Sequence, residues 1–139
     1  MEETKGEVIR LGLGGRIVSF AEGGVVFIKG DPGDNAYVVA SGLIEIRESG
    51  RVIERMGPGE LFGEMAVIDS EPRSASAVAV GNTELVVIDR AEFERRLRDE
   101  PDFAINVMRL MARRLRATMA AAPPTMQEGF PVGVPKLSA

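Results

Sequence analysis

Short apolar runs separated by turn signals dominate residues 17–88 of the chain. Residues 43–48 alternate apolar and charged side chains, which predicts a strand with one buried and one solvated face. Residues 25–28, 37–39 and 85–88 are apolar throughout, which predicts strands covered on both faces. Glycine marks each turn signal, at Gly23-Gly24, residues 30–34, Gly42, Ser49-Gly50, residues 57–59 and Gly81-Asn82. This spacing predicts an antiparallel sandwich or barrel, in which residues 30–34 form a hairpin turn.

The hydrophobic period changes from that of a strand to that of a helix at Asp89. Asp89 followed three residues later by Glu92 is typical of a helix N-terminus, and it predicts a helix that ends near residue 100. Pro101 interrupts this helix, and a second amphipathic helix is predicted from about residue 102 to residue 119. Because the strands precede the helices, we expect an α+β domain.

The composition excludes several classes of site. The 139 residues include no cysteine and no histidine, which excludes disulfides, Cys or His zinc sites and catalysis by Ser-His or Cys-His pairs. The 17 basic and 21 acidic side chains give a net charge of −4, which argues against direct binding of nucleic acid. The N-terminus lacks the pattern of a signal peptide, and no apolar run is long enough to span a membrane. We therefore expect a cytoplasmic protein with no metal and no cofactor.

Glycine and proline set the expected domain limits. Residues 1–16 form a short N-terminal segment whose glycines oppose a helix, residues 17–122 form one domain, and residues 123–139 form a proline-rich tail. If the chain is the whole protein, the tail is too short for a DNA-binding domain, so the output is expected through an effector protein or a dimer. Isolated apolar residues suggest that the tail folds back as a latch; they are Phe130, Val132 and Val134.

Candidate binding chemistry is concentrated in residues 61–77. Glu64 is the one carboxylate in an apolar run, so it lies either at a solvated edge or buried with a partner. Arg73 precedes a stretch of small side chains that would let a ligand approach the backbone. Gly63 can open a short helical turn whose N–H groups face an anion, while Arg73 supplies a two-pronged cation and Ser74 a hydroxyl. Since a carboxylate beside an anion site usually accepts a hydrogen bond from a sugar hydroxyl, the combination suggests a nucleotide.

These residues resemble the cyclic nucleotide-binding domains of catabolite-activator-type bacterial regulators, kinase regulatory subunits and cyclic nucleotide-gated channels. The resemblance covers about residues 20–118, and its centre is the phosphate-binding cassette at residues 62–66 and 72–77. It implies a jelly-roll or β-roll followed by C-terminal helices, with a short helix in the cassette. It also implies a receptor for cAMP, in preference to cGMP, that is not an enzyme.

The resemblance assigns a role to several cassette positions. Arg73 is expected to bind the cyclic phosphate and Glu64 the ribose 2′-hydroxyl, while Ser74 and nearby backbone amides complete the phosphate cradle. The cassette residues expected at the ligand are therefore Gly63, Glu64, Met65, Arg73, Ser74 and Ala75.

The last helix resembles the base-facing helix of the catabolite-activator branch. The resemblance places Thr118 at the adenine edge and Arg114 near the ribose-binding carboxylate. Leu110, Arg114 and Thr118 are four residues apart and share one side of that helix.

Other interpretations of the same residues stay open. The apolar stripe of the last helix is either core or the seam of a homodimer; it comprises Met108, Met111, Leu115 and Met119. The arginine runs at residues 95–98 and 113–116 are expected to be solvated helix faces. The main alternative function is an assembly protein with a degenerate nucleotide pocket. A cupin-type jelly-roll enzyme is disfavoured because the chain lacks histidine ligands.

Overall fold

The computed structural model of the protein describes residues 16–121. The strands are β1 (Ile17–Phe20), β2 (Val25–Phe27), β3 (Asn35–Glu48), β4 (Arg51–Met56), β5 (Leu61–Phe62) and β6 (Ser76–Asp89). The helices are α1 (Glu64–Asp69), α2 (Arg90–Asp99) and α3 (Pro101–Ala121). This is the α+β order predicted from the sequence, with antiparallel strands first, helices last and a short helix in the cassette. The predictions for residues 1–15 and 122–139 lie outside the described residues.

Two long strands organise the sheet. β3 and β6 each contain 14 residues and pair with each other from Asn35 with Asp89 to Arg47 with Ser76. β1 and β2 pair with β6, while β4 and β5 pair with β3, and every pairing is antiparallel. The buried core between these strands contains Val39, Ile44, Met56, Phe62, Ala77, Ala79 and Leu85.

Two predicted turns are wrong, because glycine interrupts the pairing of a long strand without ending the strand. Gly42 lies within β3 and Gly81 within β6, and both have positive φ, of 95° and 72°. The register of β3 against β6 shifts between Val39 and Ser41 and again between Ser41 and Leu43, across Gly42, as in a β-bulge. The runs at residues 37–39 and 43–48 therefore belong to one strand.

The hairpin predicted at residues 30–34 is also wrong. Val78 of β6 pairs with Val25 of β2 and with Glu45 of β3, so β2 and β3 flank β6 on opposite sides. The loop between β2 and β3 consequently crosses from one side of β6 to the other. The expectation that β2 is covered on both faces fails too, since Val25 and Ile28 are exposed. Residues 85–88, in contrast, are all buried as expected.

The predicted start of α2 is confirmed by its cap. The Asp89 carboxylate accepts a hydrogen bond from the Glu92 backbone N–H at 2.8 Å, which satisfies one of the donors left over at a helix N-terminus. α3 begins at Pro101, one residue before the predicted start, because proline is well suited to the first position of a helix.

The chain comprises two compact units, one ending at Arg95 and the other beginning at Arg96. In the second unit Arg96 is 2% exposed and bonds to the Glu100 carboxylate at 3.0 Å, so the prediction of a solvated arginine run is wrong at this position. The exposed apolar side chains of α3 recur at helical spacing and lie at Ile105, Met108, Leu115 and Met119. No helix among residues 16–121 is long and apolar enough to cross a membrane.

Candidate functional site

The cassette begins with a sharp change of chain direction between β5 and α1. Gly63 precedes α1 with a φ of 76° and a ψ of 5°, a left-handed conformation that costs glycine little. α1 then runs for six residues and ends at Asp69, and the N–H of the next residue, Ser70, donates to the Ala66 carbonyl at 3.0 Å. The short helix expected after Gly63 is therefore present.

Glu64, the first residue of α1, is fully buried, with a relative exposure of 0%. Of the two positions that the sequence left open, solvated edge or buried with a partner, the structure shows burial. A buried carboxylate needs nearby positive charge or donors to remain ionised. The charge of Glu64 acts on Arg73, where it favours the protonated guanidinium.

Arg73 is 5% exposed and makes two hydrogen bonds to backbone carbonyls. Its Nη1 donates to the carbonyl of Gly63 and its Nη2 to the carbonyl of Asn35, each at 2.7 Å. Its Nε is buried and has no hydrogen-bond acceptor among residues 16–121. The guanidinium thus joins the start of the cassette to the start of β3, and its Nε–H is still available to an acceptor.

An aromatic cluster surrounds this guanidinium. The Cζ of Arg73 lies 4.0 Å from the centroid of the Phe27 ring and 5.9 Å from that of Tyr37. Tyr37 stacks on Phe62 at a centroid distance of 5.3 Å, and the Phe27 ring is tilted against both. Arg73 was predicted from the sequence, but Phe27 and Tyr37 were not assigned to the site.

Burial and charge act on Arg73 in opposite directions. Burial lowers the pKa of the guanidinium, while the charges of Tyr37, Glu64, Asp34 and Asp31 raise it. Because the ordinary pKa of arginine is so high, the group remains a cation at neutral pH. The site therefore presents a positive charge that solvent hardly screens.

Two glycines leave the space that the guanidinium fills. A Cβ on Gly33 would lie 2.5 Å from Arg73 Nε and 2.6 Å from its Cζ. A Cβ on Gly63 would lie 2.9 Å from Arg73 Nη1. From the sequence Gly33 was predicted only as part of a turn, since a contact across 40 residues of chain leaves no local signal.

The remaining cassette residues differ in exposure. Met65 is 45% exposed on α1, Ser74 is exposed, and Ala75 is buried. Gly63, Glu64 and Arg73 are thus brought together, while Met65 and Ser74 point outward. The roles that the resemblance gave to all six residues stay predictions.

Arg114 and Thr118 belong to the second unit. They lie four residues apart on α3, where Arg114 is half-buried and Thr118 is exposed. Their contribution to the site also stays a prediction.

Arg90, the first residue of α2, forms a hydrogen bond with the C-terminal half of α1. Its Nη1 donates to the Val67 carbonyl at 2.5 Å, and its Nη2 lies 3.3 Å from Asp34 Oδ1. A cavity of about 410 Å³ opens beside this contact; it is lined by Pro32, Gly33, Asp34, Ser70, Glu71, Pro72 and Arg90. No local sequence pattern marks Arg90, because its bond is to a backbone carbonyl 23 residues away.

Residues 16–121 contain no group of three or more acidic, histidine or cysteine side chains that could hold a metal ion. Around Arg73 the site consists of the Glu64 carboxylate, the rings of Phe27 and Tyr37, and the backbone carbonyls of Gly63 and Asn35.

Comparisons with known proteins identify a family for the chain. The cyclic nucleotide-binding domain family matches residues 17–100. The Cyclic AMP receptor protein of Thermus thermophilus is 42% identical over 102 residues, which are 70% of this chain and 47% of that protein. A CRP-like cAMP-activated global transcriptional regulator of Mycobacterium tuberculosis is 36% identical over 106 residues, which are 73% of this chain and 47% of that protein.

A solved structure shows the same fold. The crystal structure of the Thermus thermophilus Catabolite Activator Protein superposes with a TM-score of 0.72 at 40% identity, covering 81% of this chain and 55% of that one. The chain therefore spans about half the length of the relatives it matches.

Proposed function

Because the chain belongs to the cyclic nucleotide-binding domain family, we propose that it is a receptor for a cyclic nucleotide, with cAMP bound in preference to cGMP. The proposal makes it a regulatory binding module without catalytic activity of its own. The observation that carries it is the pair of buried side chains at the cassette, Glu64 at 0% and Arg73 at 5% exposure, with Arg73 bonded to the carbonyl of Gly63.

The chemistry of this pair suits the two polar ends of the ligand. A cyclic phosphate carries one negative charge, for which the buried guanidinium of Arg73 is a suitable partner. The ribose 2′-hydroxyl is a donor, for which the Glu64 carboxylate is a suitable acceptor. The Nε–H of Arg73 supports this assignment, because it is a buried donor with no acceptor among residues 16–121.

The preference for cAMP is supported by the relatives. Two of them are named for cAMP: the Cyclic AMP receptor protein of Thermus thermophilus and the cAMP-activated regulator of Mycobacterium tuberculosis. We propose that Thr118 contributes to this preference at the adenine edge, with Arg114 beside the ribose-binding carboxylate.

The proposed output is a shift in the C-terminal helices. Arg90 supports this mechanism, because it starts α2 and bonds to the carbonyl of Val67 in the cassette helix. A ligand that moves α1 would therefore act on the first residue of α2. Such a ligand stabilises whichever arrangement of the helices lets it make the most contacts.

We propose that the functional unit is a homodimer that acts on an effector protein. The support is the set of exposed apolar residues on α3, which at Met108 reaches 60% exposure. A contiguous apolar face of this kind on a helix is typical of a helix–helix contact.

A calorimetric titration of the chain with cAMP, cGMP and a cyclic dinucleotide tests this function. We expect saturable binding of cAMP, weaker binding of cGMP and no binding of the dinucleotide. Absence of binding by all three, together with a constitutive dimer, would overturn the receptor function and favour an assembly protein with a degenerate pocket.

A further inference from the structure

We propose that Phe27 is a positioning residue for Arg73: its ring supports the guanidinium and fixes the direction in which this cation meets an anionic ligand. The inference rests on the proposed function for its effect on binding. The contact between the two side chains stands independently of any ligand.

The distance and the burial of the pair support a cation–π contact. Arg73 Cζ lies 4.0 Å from the Phe27 centroid, well within the range of about 6 Å over which such contacts act. Because Arg73 is 5% exposed, solvent competes little for its charge. The Tyr37 ring, at 5.9 Å, lies at the limit of that range, so Phe27 is the main aromatic partner.

The other contacts of the guanidinium are made by its nitrogen atoms, so the Phe27 ring is the group that covers its flat face. The two carbonyls of Gly63 and Asn35 hold the Nη1 and Nη2 ends. Bonds at these ends leave the flat faces to be covered by packing, and the nearest ring is that of Phe27. An aliphatic side chain at this position would cover the face but would lack the negative potential of an aromatic ring.

The setting of Phe27 argues for a role beyond core packing. It is the last residue of the three-residue strand β2, is only half-buried, and follows an irregularity in the pairing with β6. Its neighbours Val25 and Ile28 are exposed. The ring packs against Tyr37, Phe62 and the core, and in addition lies against the Arg73 guanidinium.

The first test is calorimetric binding of cAMP to three variants. Phe27→Leu removes the ring and should weaken binding about threefold to tenfold, whereas Phe27→Tyr keeps it and should bind within about twofold of the unmodified chain. Phe20→Leu is the matched control, because Phe20 is a half-buried aromatic residue of β1 that packs on the same core. It should leave affinity unchanged.

A fluorinated phenylalanine at position 27 keeps the shape of the ring while weakening its negative potential. This substitution tests the proposal even if Phe27→Leu does not fold. The affinity for cAMP should fall as fluorine atoms are added to the ring. Affinity that is insensitive to fluorination, or equal losses in Phe27→Leu and Phe27→Tyr, would overturn the proposal.

A double-mutant cycle of Phe27→Leu and Arg73→Ala, measured by chemical denaturation without ligand, separates this inference from the proposed function. The two substitutions should be less than additive if the side chains interact. Absence of cAMP binding with this coupling intact would refute the receptor function alone. Additive effects in the cycle would refute the contact itself.

Discussion

At the scale of single residues, the site depends on a cation and a carboxylate that are both out of water. Such a pair is held by the partners around it, because an isolated buried charge would be far too costly. Arg73 has two carbonyls, an aromatic ring and the charge of Glu64 to stabilise it. Removing either member should therefore affect both the free protein and its complex.

Arg73→Ala should weaken the free energy of cAMP binding by roughly 2–5 kcal/mol, which is the usual loss when one partner of a buried charge pair is removed. It should also destabilise the free protein, since Glu64 would lose a nearby cation. Arg55→Ala is the control, because Arg55 is 63% exposed and pairs with Glu45 on β4 and β3. Unchanged cAMP affinity in Arg73→Ala, measured by calorimetry, would contradict the assignment.

Glu64→Gln tests the acceptor for the ribose hydroxyl with almost no change of shape. Hydrogen bonds to a charged group are stronger than those to a neutral one, so the variant should bind cAMP about tenfold more weakly. Affinity for 2′-deoxy-cAMP should change less, because this analogue lacks the hydroxyl. Equal losses for both ligands would show that Glu64 acts only through the fold.

The charged pair could be predicted from the sequence, but the groups that contact Arg73 could not. Glu64 and Arg73 were identifiable because a charge among apolar residues and an arginine before small residues are local patterns. Phe27, Gly33 and the carbonyl of Asn35 act through contacts between distant parts of the chain, and Asn35 is 38 positions from Arg73. Contacts of this kind depend on the register of the sheet and leave no local pattern.

At the scale of the elements, the same limitation explains the misread glycines. The strand conformation of the apolar runs and the Asp89 cap were predicted correctly because they depend on neighbours within a few residues. Gly42 ends no strand, because β6 continues to pair with β3 on both sides of it. Whether a glycine makes a turn or a bulge is decided by the partner strand, which a single stretch of sequence does not show.

Gly42→Ala should lower the free energy of unfolding by about 2–4 kcal/mol, since it combines backbone strain with a steric clash. The φ of Gly42 is 95°, and a Cβ there would lie 2.5 Å from Thr83 Oγ1. The Thr83 hydroxyl is buried and holds β3 by a bond to the Leu43 carbonyl at 3.1 Å.

The control for this prediction is Gly30→Ala. Gly30 has the same φ of 95° but nothing within 4 Å of its added Cβ, so only the backbone strain should remain. Urea denaturation should therefore show a smaller loss, of about 1 kcal/mol. Equal losses of unfolding free energy in the two variants would mean that the steric clash with Thr83 does not destabilise Gly42→Ala.

At the scale of the whole molecule, one side of α3 carries a row of exposed apolar side chains. The exposed side chains at Ile105, Met108, Leu115 and Met119 recur along α3 at the spacing of one helical side. The sequence predicted either core or a dimer seam for a stripe of Met108, Met111, Leu115 and Met119, of which Met111 is half-buried. Exposure of Met108, Leu115 and Met119 argues against core within a single chain and supports the proposed homodimer.

Met108→Glu should dissociate that dimer, because it places a charge in the middle of the apolar stripe. Asn106→Glu is the matched control: it adds the same charge on the same helix, at an exposed position two residues away that faces a different side. Light scattering after size exclusion should give a dimer for the unmodified chain and for Asn106→Glu, but a monomer for Met108→Glu. A monomer for the unmodified chain at every concentration would refute the dimer. If Met108→Glu binds cAMP normally as a monomer, each cassette forms its phosphate site without a partner chain, and dimerisation serves the output alone.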